Sequence, residues 1–240
     1  MTQTTKILGA IAVVGTMALA AQAQLIDSFT GDLSAYTMTR ILNNGGHNPV
    51  NTYSWEISSG AVRINTSSYV GIEQFALTRT DYTLGVGYEL TATYSGLNLG
   101  SQDIGLYIGA GTPTTDVRAD YLNVYVRNTG QLYTRGFNGA SELGLVGGST
   151  PANISSLFIA RTGTSTYELG YYDGSTRNLL TTRTMTSSTI GNAIGFYADV
   201  RAAGIRGSMD NLTLNAVPEP STFALAGLGF AAFGLIRRRR

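Results

Sequence analysis

The stretch DYLNVYVRNTGQLYTRGF, residues 120–137, decides the fold. Leu122, Val124 and Val126 alternate with Tyr121, Asn123, Tyr125 and Arg127, the period of two that puts each set on its own face of a β-strand. Asn128-Thr129-Gly130 supplies turn residues, and residues 131–137 read as the returning strand. The same pattern recurs outward from this hairpin. Tyr88, Leu90, Ala92 and Tyr94 share one face of residues 87–95, with Glu89, Thr91, Thr93 and Ser95 on the other. Tyr167, Leu169 and Tyr171 alternate with Glu168, Gly170 and Tyr172, and Ile194, Phe196 and Ala198 fall together. Further strands are predicted near 53–57, 61–65, 72–79, 104–108, 154–161 and 207–214, and one short helical turn near 33–43. Ten or more strands without an internal repeat predict an all-β fold, two antiparallel sheets packed as a jelly-roll sandwich over residues 24–217.

The ends read differently. Residues 1–23 (MTQTTKILGAIAVVGTMALAAQA) place Lys6 before an apolar run that closes on Ala21-Gln22-Ala23, a small-x-small cleavage site. That is the pattern of a Sec-type signal peptide, so the Sec translocon and signal peptidase are expected partners and Gln24 the first mature residue. At the other end, Pro218-Glu219-Pro220 precedes an uncharged run at 222–236, and Arg237, Arg238, Arg239 and Arg240 follow it. The run predicts a short transmembrane helix, with the arginines as a cytoplasmic stop-transfer block. A helix of this length measures about 22 Å against a hydrocarbon core of roughly 30 Å, so spanning would require a thinned bilayer. The expected precursor is single-pass in the inner membrane with its C-terminus in the cytoplasm.

Residues 218–240 resemble the PEP-CTERM sorting signal: a Pro-Glu-Pro motif, a short apolar segment and a terminal arginine cluster. The resemblance implies a Gram-negative source and recognition of Pro218, Glu219 and Pro220 by an exosortase-like enzyme. That enzyme would process the chain and pass the body to the cell envelope or extracellular matrix. Proline carries no N–H, so Pro218 and Pro220 cannot continue a helix or pair inside a sheet, which suits an open processing site. The body is similar, less specifically, to concanavalin-like and laminin-G-like jelly rolls through YELTATYSGL, DIGLYIGAG, YELGYYDGSTRNLL, AIGFYAD and SMDNLTL. That resemblance implies a carbohydrate-binding or structural module.

Composition narrows the function. The chain has 240 residues, no Cys and one His, with 13% charged residues against about 25% in an average soluble domain. Cysteine chemistry and multi-histidine metal sites are excluded. Once Lys6, Glu219 and the four terminal arginines are set aside, residues 24–217 keep 11 Arg and 14 acids, a formal charge of −3 that does not suit nucleic acid. His47 lies in a predicted loop without a G-x-S-x-G elbow, and the acids lack the E-x-D-x-x-E cluster of sandwich glycosidases. Glu89 and Glu168 read as solvated sheet-face residues. No acid set has EF-hand spacing, although Asp27 and Asp210 would meet if the terminal strands pair. No catalytic residue, metal ligand or cofactor is assigned. Flat tyrosine and tryptophan faces suit sugar stacking, and Trp55, Tyr121, Tyr125, Tyr133 and Tyr172 are the candidates, with Tyr121 and Tyr125 expected at the surface. The leading expectation is a non-enzymatic, exported structural component of the envelope or exopolysaccharide matrix. A carbohydrate-binding module is the alternative, and a polysaccharide hydrolase or lyase a more distant one.

Overall fold

The computed structural model describes residues 23–44, 53–66, 72–95, 103–127, 129–200 and 204–217. In chain order the strands are β1 (Gln24–Asp27), β2 (Thr37–Asn44), β3 (Tyr53–Ser58), β4 (Ala61–Thr66), β5 (Ile72–Arg79), β6 (Tyr88–Ser95), β7 (Asp103–Gly109) and β8 (Tyr121–Val126). They continue as β9 (Leu132–Asn138), β10 (Ser141–Glu142), β11 (Val146–Ser149), β12 (Ser156–Arg161), β13 (Thr166–Asp173), β14 (Thr176–Thr184), β15 (Ala193–Val200) and β16 (Gly204–Ala216). One sheet, here sheet A, runs β14-β13-β12-β6-β16-β4-β3, with β1 also on β16. The other, sheet B, runs β10-β9-β8-β7-β15-β5-β2, with β11 also on β9. Every pairing is antiparallel.

The period-two pattern becomes the core. Leu90 and Ala92 of β6, Leu157 and Ile159 of β12 and Leu214 of β16 face Leu106 of β7, Val124 of β8 and Phe196 of β15 in one buried cluster. Each fully buried aliphatic or phenyl side chain contributes about 1.5–3 kcal/mol of transfer free energy, which identifies this layer as the main source of stability. β1 pairs with the end of β16, Gln24 opposite Leu214, so the two ends of the body lie side by side.

Several expectations change. The segment at 33–43 is no helical turn. A tight turn closes with the Tyr36 N–H donating to the Leu33 carbonyl at 2.9 Å, and strand β2 follows. The C-terminal transmembrane helix is not carried over. Among the described residues there is no helix at all, and so none long and apolar enough to cross a membrane. The run expected to form it, 222–236, lies outside the described residues, as do Pro218, Glu219, Pro220 and Arg237 to Arg240. The expectation rested on an apolar run already shorter than a bilayer core. The single-pass inner-membrane precursor rested on that helix and falls with it. Residues 1–22 of the expected signal peptide and His47 also lie outside the described residues.

Candidate functional site

The candidate aromatic residues separate into three places. Tyr121, Tyr125 and Tyr133 share the outer face of sheet B. Tyr121 and Tyr125 were expected at the surface, yet both are fully buried. The reason lies in their neighbours. Across the ladder Tyr121 faces Gly109, Tyr125 faces Gly105, and Tyr107 faces Gly195. Gly105 also stands opposite Tyr197. Without Cβ atoms in those positions, the rings pack down on the sheet and on one another. Tyr107 stacks on Tyr121 with centroids 5.3 Å apart, and Tyr125 meets Tyr197 at 5.1 Å and Tyr133 at 6.1 Å. Such aromatic pairs contribute about 0.5–1.5 kcal/mol each beyond burial.

Arginines close this face. Arg118 lies 4.7 Å from the Phe137 ring and Arg127 4.6 Å from the Tyr133 ring. Arg135 is held by Glu142 at 3.0 Å. The loop after β7 leaves only a hollow of about 170 Å³ beside Tyr107. That loop is pinned to β2, because Arg40 donates to Asp116 from Nε at 2.8 Å and from Nη2 at 2.6 Å. Burial pushes the Tyr107, Tyr121 and Tyr197 hydroxyls well above the usual tyrosine range, so all three stay protonated. Trp55 sits apart, nearly buried, in a groove at the β2 and β3 edge with Tyr36 and Met38.

Tyr172 lies on the outer face of sheet A, where an open hollow of about 390 Å³ forms. Glu89 and Thr91 of β6, Ser156 of β12, Tyr172 of β13 and Asn215 of β16 line it, with Gly174 and Ser175 of the β13–β14 turn as one wall. The registers explain the grouping: Ser156 pairs with Tyr172, and Asn215 with Glu89. Glu89 is not a solvated surface acid as its strand phase suggested. It is 2% exposed and accepts hydrogen bonds from the Tyr172 hydroxyl at 2.7 Å and from Arg177 Nε at 2.9 Å. Arg177 also bridges to Glu168 at 2.9 Å and lies 3.9 Å from the centroid of Phe158. Phe158 fits there because its ladder partner is Gly170, whose Cβ would come within 2.8 Å of the phenyl ring. Burial, and then the bond to Glu89, push the Tyr172 hydroxyl up to about 12, so it remains a donor at any physiological pH. Asn215 Nδ2 donates to Thr91 Oγ1 at 3.0 Å. The hollow thus offers an aromatic side chain, several hydroxyls, an amide and one carboxylate that is already hydrogen-bonded.

The terminal strands do pair as the calcium expectation required. However, the Asp27 carboxylate accepts from the Phe29 N–H at 2.8 Å and faces Arg79 at 3.6 Å, while Asp210 binds the Asn211 backbone and side chain. Among the described residues no group of three or more His, Asp or Glu side chains is placed to hold a metal ion.

Residues 216–240 match the PEP-CTERM protein-sorting motif. No curated protein matches the chain in sequence. Among solved structures, the chain is similar to the exoplasmic/lumenal domain of VIP36 in its Ca2+/Man2-bound form, at 12% identity and TM-score 0.49, over 83% of this chain and 89% of that one. It is also similar to the carbohydrate-binding module CBM66 from Bacillus subtilis, at 16% identity and TM-score 0.41, over 74% and 94%. The alginate lyase AlyC3 in complex with dimannuronate gives 15% identity and TM-score 0.44, over 78% and 91%.

Proposed function

We propose that this chain is an exported, sorted β-sandwich that binds carbohydrate through the outer face of sheet A. One observation carries the reading. A hollow of about 390 Å³ on that face is lined by a tyrosine and by hydroxyl, amide and carboxylate groups, a set that gives a polyol an aromatic contact and hydrogen bonds of both senses. This favours a binding module over a ligand-free structural component of the envelope or matrix. It also favours binding over hydrolysis. Glu89 is the hollow's single lining carboxylate, and glycoside hydrolysis ordinarily uses two. Export begins at the N-terminal signal, through the Sec translocon and signal peptidase. The C-terminal motif is then read by an exosortase-like enzyme, which delivers the sandwich to the envelope or to an exopolysaccharide matrix.

The test is retention of the mature protein on immobilised glycans, including the exopolysaccharide of the source cell. Tyr172→Ala should lose at least about tenfold in affinity, the loss expected when a central ring contact of some 1–3 kcal/mol is removed. Tyr121→Phe, on the sealed face, should bind as the parent does. Equal retention by Tyr172→Ala and the parent would show that sugar binds elsewhere or not at all.

A further inference from the structure

The placement of arginines sets the charge of the hollow on sheet A. Strands β6, β12, β13 and β14 carry three of them, Arg161, Arg177 and Arg183. Arg161 and Arg183 both stand opposite Tyr167, on the core phase, and are spent on backbone carbonyls. Arg161 donates to those of Leu84, Ile190, Thr164 and Ser188, and Arg183 to those of Leu143 and Gly144. Arg177 alone takes the outward phase, opposite Tyr172. Its Nε donates to Glu89 at 2.9 Å, its Nη1 bridges to Glu168 at 2.9 Å, and its Nη2 is buried. The cation that these strands turn toward the hollow is therefore divided between two carboxylates before any ligand arrives.

Acids outnumber it. Glu89 lines the hollow, and Glu168 lies across Ala160 from it. Asp173 leads into the wall made by Gly174 and Ser175. Asp210 shares the outward phase, paired with Thr93, which also faces Ser156. Four carboxylates around one guanidinium give a formal charge of −3, equal to that of residues 24–217 as a whole. At 2% exposure the field of Glu89 is poorly screened by water and salt. The Tyr172 hydroxyl is no free donor for an anion, since it already donates to Glu89 at 2.7 Å. The rest of the polar lining is neutral: the hydroxyls of Thr91, Ser156 and Ser175 and the amide of Asn215. Such groups both donate and accept, which suits an uncharged sugar. A ligand carboxylate or sulfate would meet like charge there.

We propose that the hollow selects uncharged glycans and rejects those bearing carboxylate or sulfate groups. The inference rests on the hollow binding carbohydrate, and it adds which class of carbohydrate enters.

The test compares polygalacturonate with its methyl ester, the same polymer with and without its charges, and with neutral dextran and mannan. Retention of the mature protein from its exporting cell is measured on each at low ionic strength. The quantity read is the part of the retention that Tyr172→Ala loses, because that part belongs to the hollow. The neutral polymers should retain at least about fivefold more than polygalacturonate, and the gap should close toward 1 M salt, where the Debye length falls to about 3 Å. Glu168→Gln and Asp173→Lys, neither of which changes the lining, should each narrow the gap by about twofold or more. Asp173 is exposed at the end of β13, so its variant serves if Glu168→Gln does not fold. Equal or greater retention on polygalacturonate, or a gap that no folded variant narrows, would overturn the selection and leave the carbohydrate reading standing. Loss of nothing in Tyr172→Ala on any of the glycans would overturn the carbohydrate reading and the selection with it.

Discussion

The two outer faces of the sandwich are built from strands of the same kind and end in opposite states. On sheet B the outward phase carries Tyr107, Tyr121, Tyr125 and Tyr197, and all four are buried. On sheet A the outward phase carries Glu89, Thr91, Ser156, Tyr172 and Asn215 around an open hollow. The strand period does not separate them, since Tyr-x-x-x-Tyr and Glu-x-Thr both alternate with apolar residues. What differs is the neighbouring strand. Sheet B sets glycines opposite its tyrosines, so the rings lie flat and cover each other. Sheet A does so once, with Gly170 opposite Phe158, but it sets Ser156 opposite Tyr172 and leaves a hollow beside that ring. A tyrosine on an outward phase is thus sealed or available according to the residue across the ladder.

The most direct way to break this contrast is Gly105→Ala. Gly105 lies between Tyr125 and Tyr197 in the ladder, and an added Cβ would collide with the Val124 carbonyl oxygen and approach Tyr125 Cα to 2.5 Å. Both contacts involve strand backbone, which cannot rotate aside. A loss of about 3 kcal/mol, the upper end of ordinary overpacking, is expected in urea unfolding. A change under roughly 1 kcal/mol would mean that the rings do not depend on the glycine.

The second test compares the buried carboxylates of the two sheets. Glu89 on sheet A has a hydroxyl and a guanidinium within hydrogen-bond distance. Glu73 on sheet B is fully buried with the Arg40 guanidinium 3.5 Å away, and that guanidinium is shared with Asp116. Burial, only partly offset by Arg40, raises Glu73 from 4.5 to about 7. A carboxyl raised on folding favours the native state while protonated. Its stabilisation is complete below pH 4.5 and is lost as pH rises through about 7. Glu73→Gln should remove that fall and make the protein more stable at pH 8 by up to about 2 kcal/mol. Thermal midpoints of both proteins across that range decide the matter, and parallel curves would acquit Glu73.

Most of the sandwich was legible in the sequence, because burial on one face imposes a period of two. β6, β8, β13 and β15 fall within a residue or two of the predicted positions. β1, β2, β10, β11 and β14 were missed: β1, β10 and β11 have four residues or fewer, β2 falls in the segment read as a helical turn, and β14 exposes residues of both phases, so none shows a clean alternation. The site was legible only in part. Tyr172, one of the stacking candidates, does line the hollow, but Thr91, Ser156 and Asn215 come from three strands whose registers no local pattern reveals. The sealing of Tyr121 and Tyr125 had a readable signal in Gly105-Leu106-Tyr107-Ile108-Gly109, whose glycines complement the tyrosines of β8. It becomes evident only once β7 and β8 are known to pair.

A third test sharpens the open face. Tyr172→Phe keeps the ring and removes the hydroxyl that donates to Glu89 at 2.7 Å. The buried carboxylate keeps Arg177, so a loss of about 1–2 kcal/mol in stability is expected. Sugar retention should fall less than in Tyr172→Ala, since the ring remains. If retention instead falls to the level of Tyr172→Ala, the hydroxyl and its carboxylate partner carry the binding, and stacking carries little.

The smallest expected effect is the most diagnostic for the sealed face. The Tyr197 hydroxyl is buried and has no hydrogen-bond partner among the described residues. A hydroxyl taken out of water without a partner opposes folding, whereas a partnered one supports it. Tyr197→Phe keeps the ring contact with Tyr125 and discards the hydroxyl, so it should leave stability unchanged or raise it by about 0.5 kcal/mol. The sign matters more than the size. Tyr172→Phe and Tyr197→Phe are the same chemical change on opposite sheets, and they should move unfolding midpoints in opposite directions or by clearly different amounts. A loss of a kcal/mol or more at Tyr197 would mean that its hydroxyl has a partner there, such as a buried water or a ligand. The face read here as packing would then be a second polar site, and the glycines opposite its tyrosines would be making room for a guest as well as for the rings.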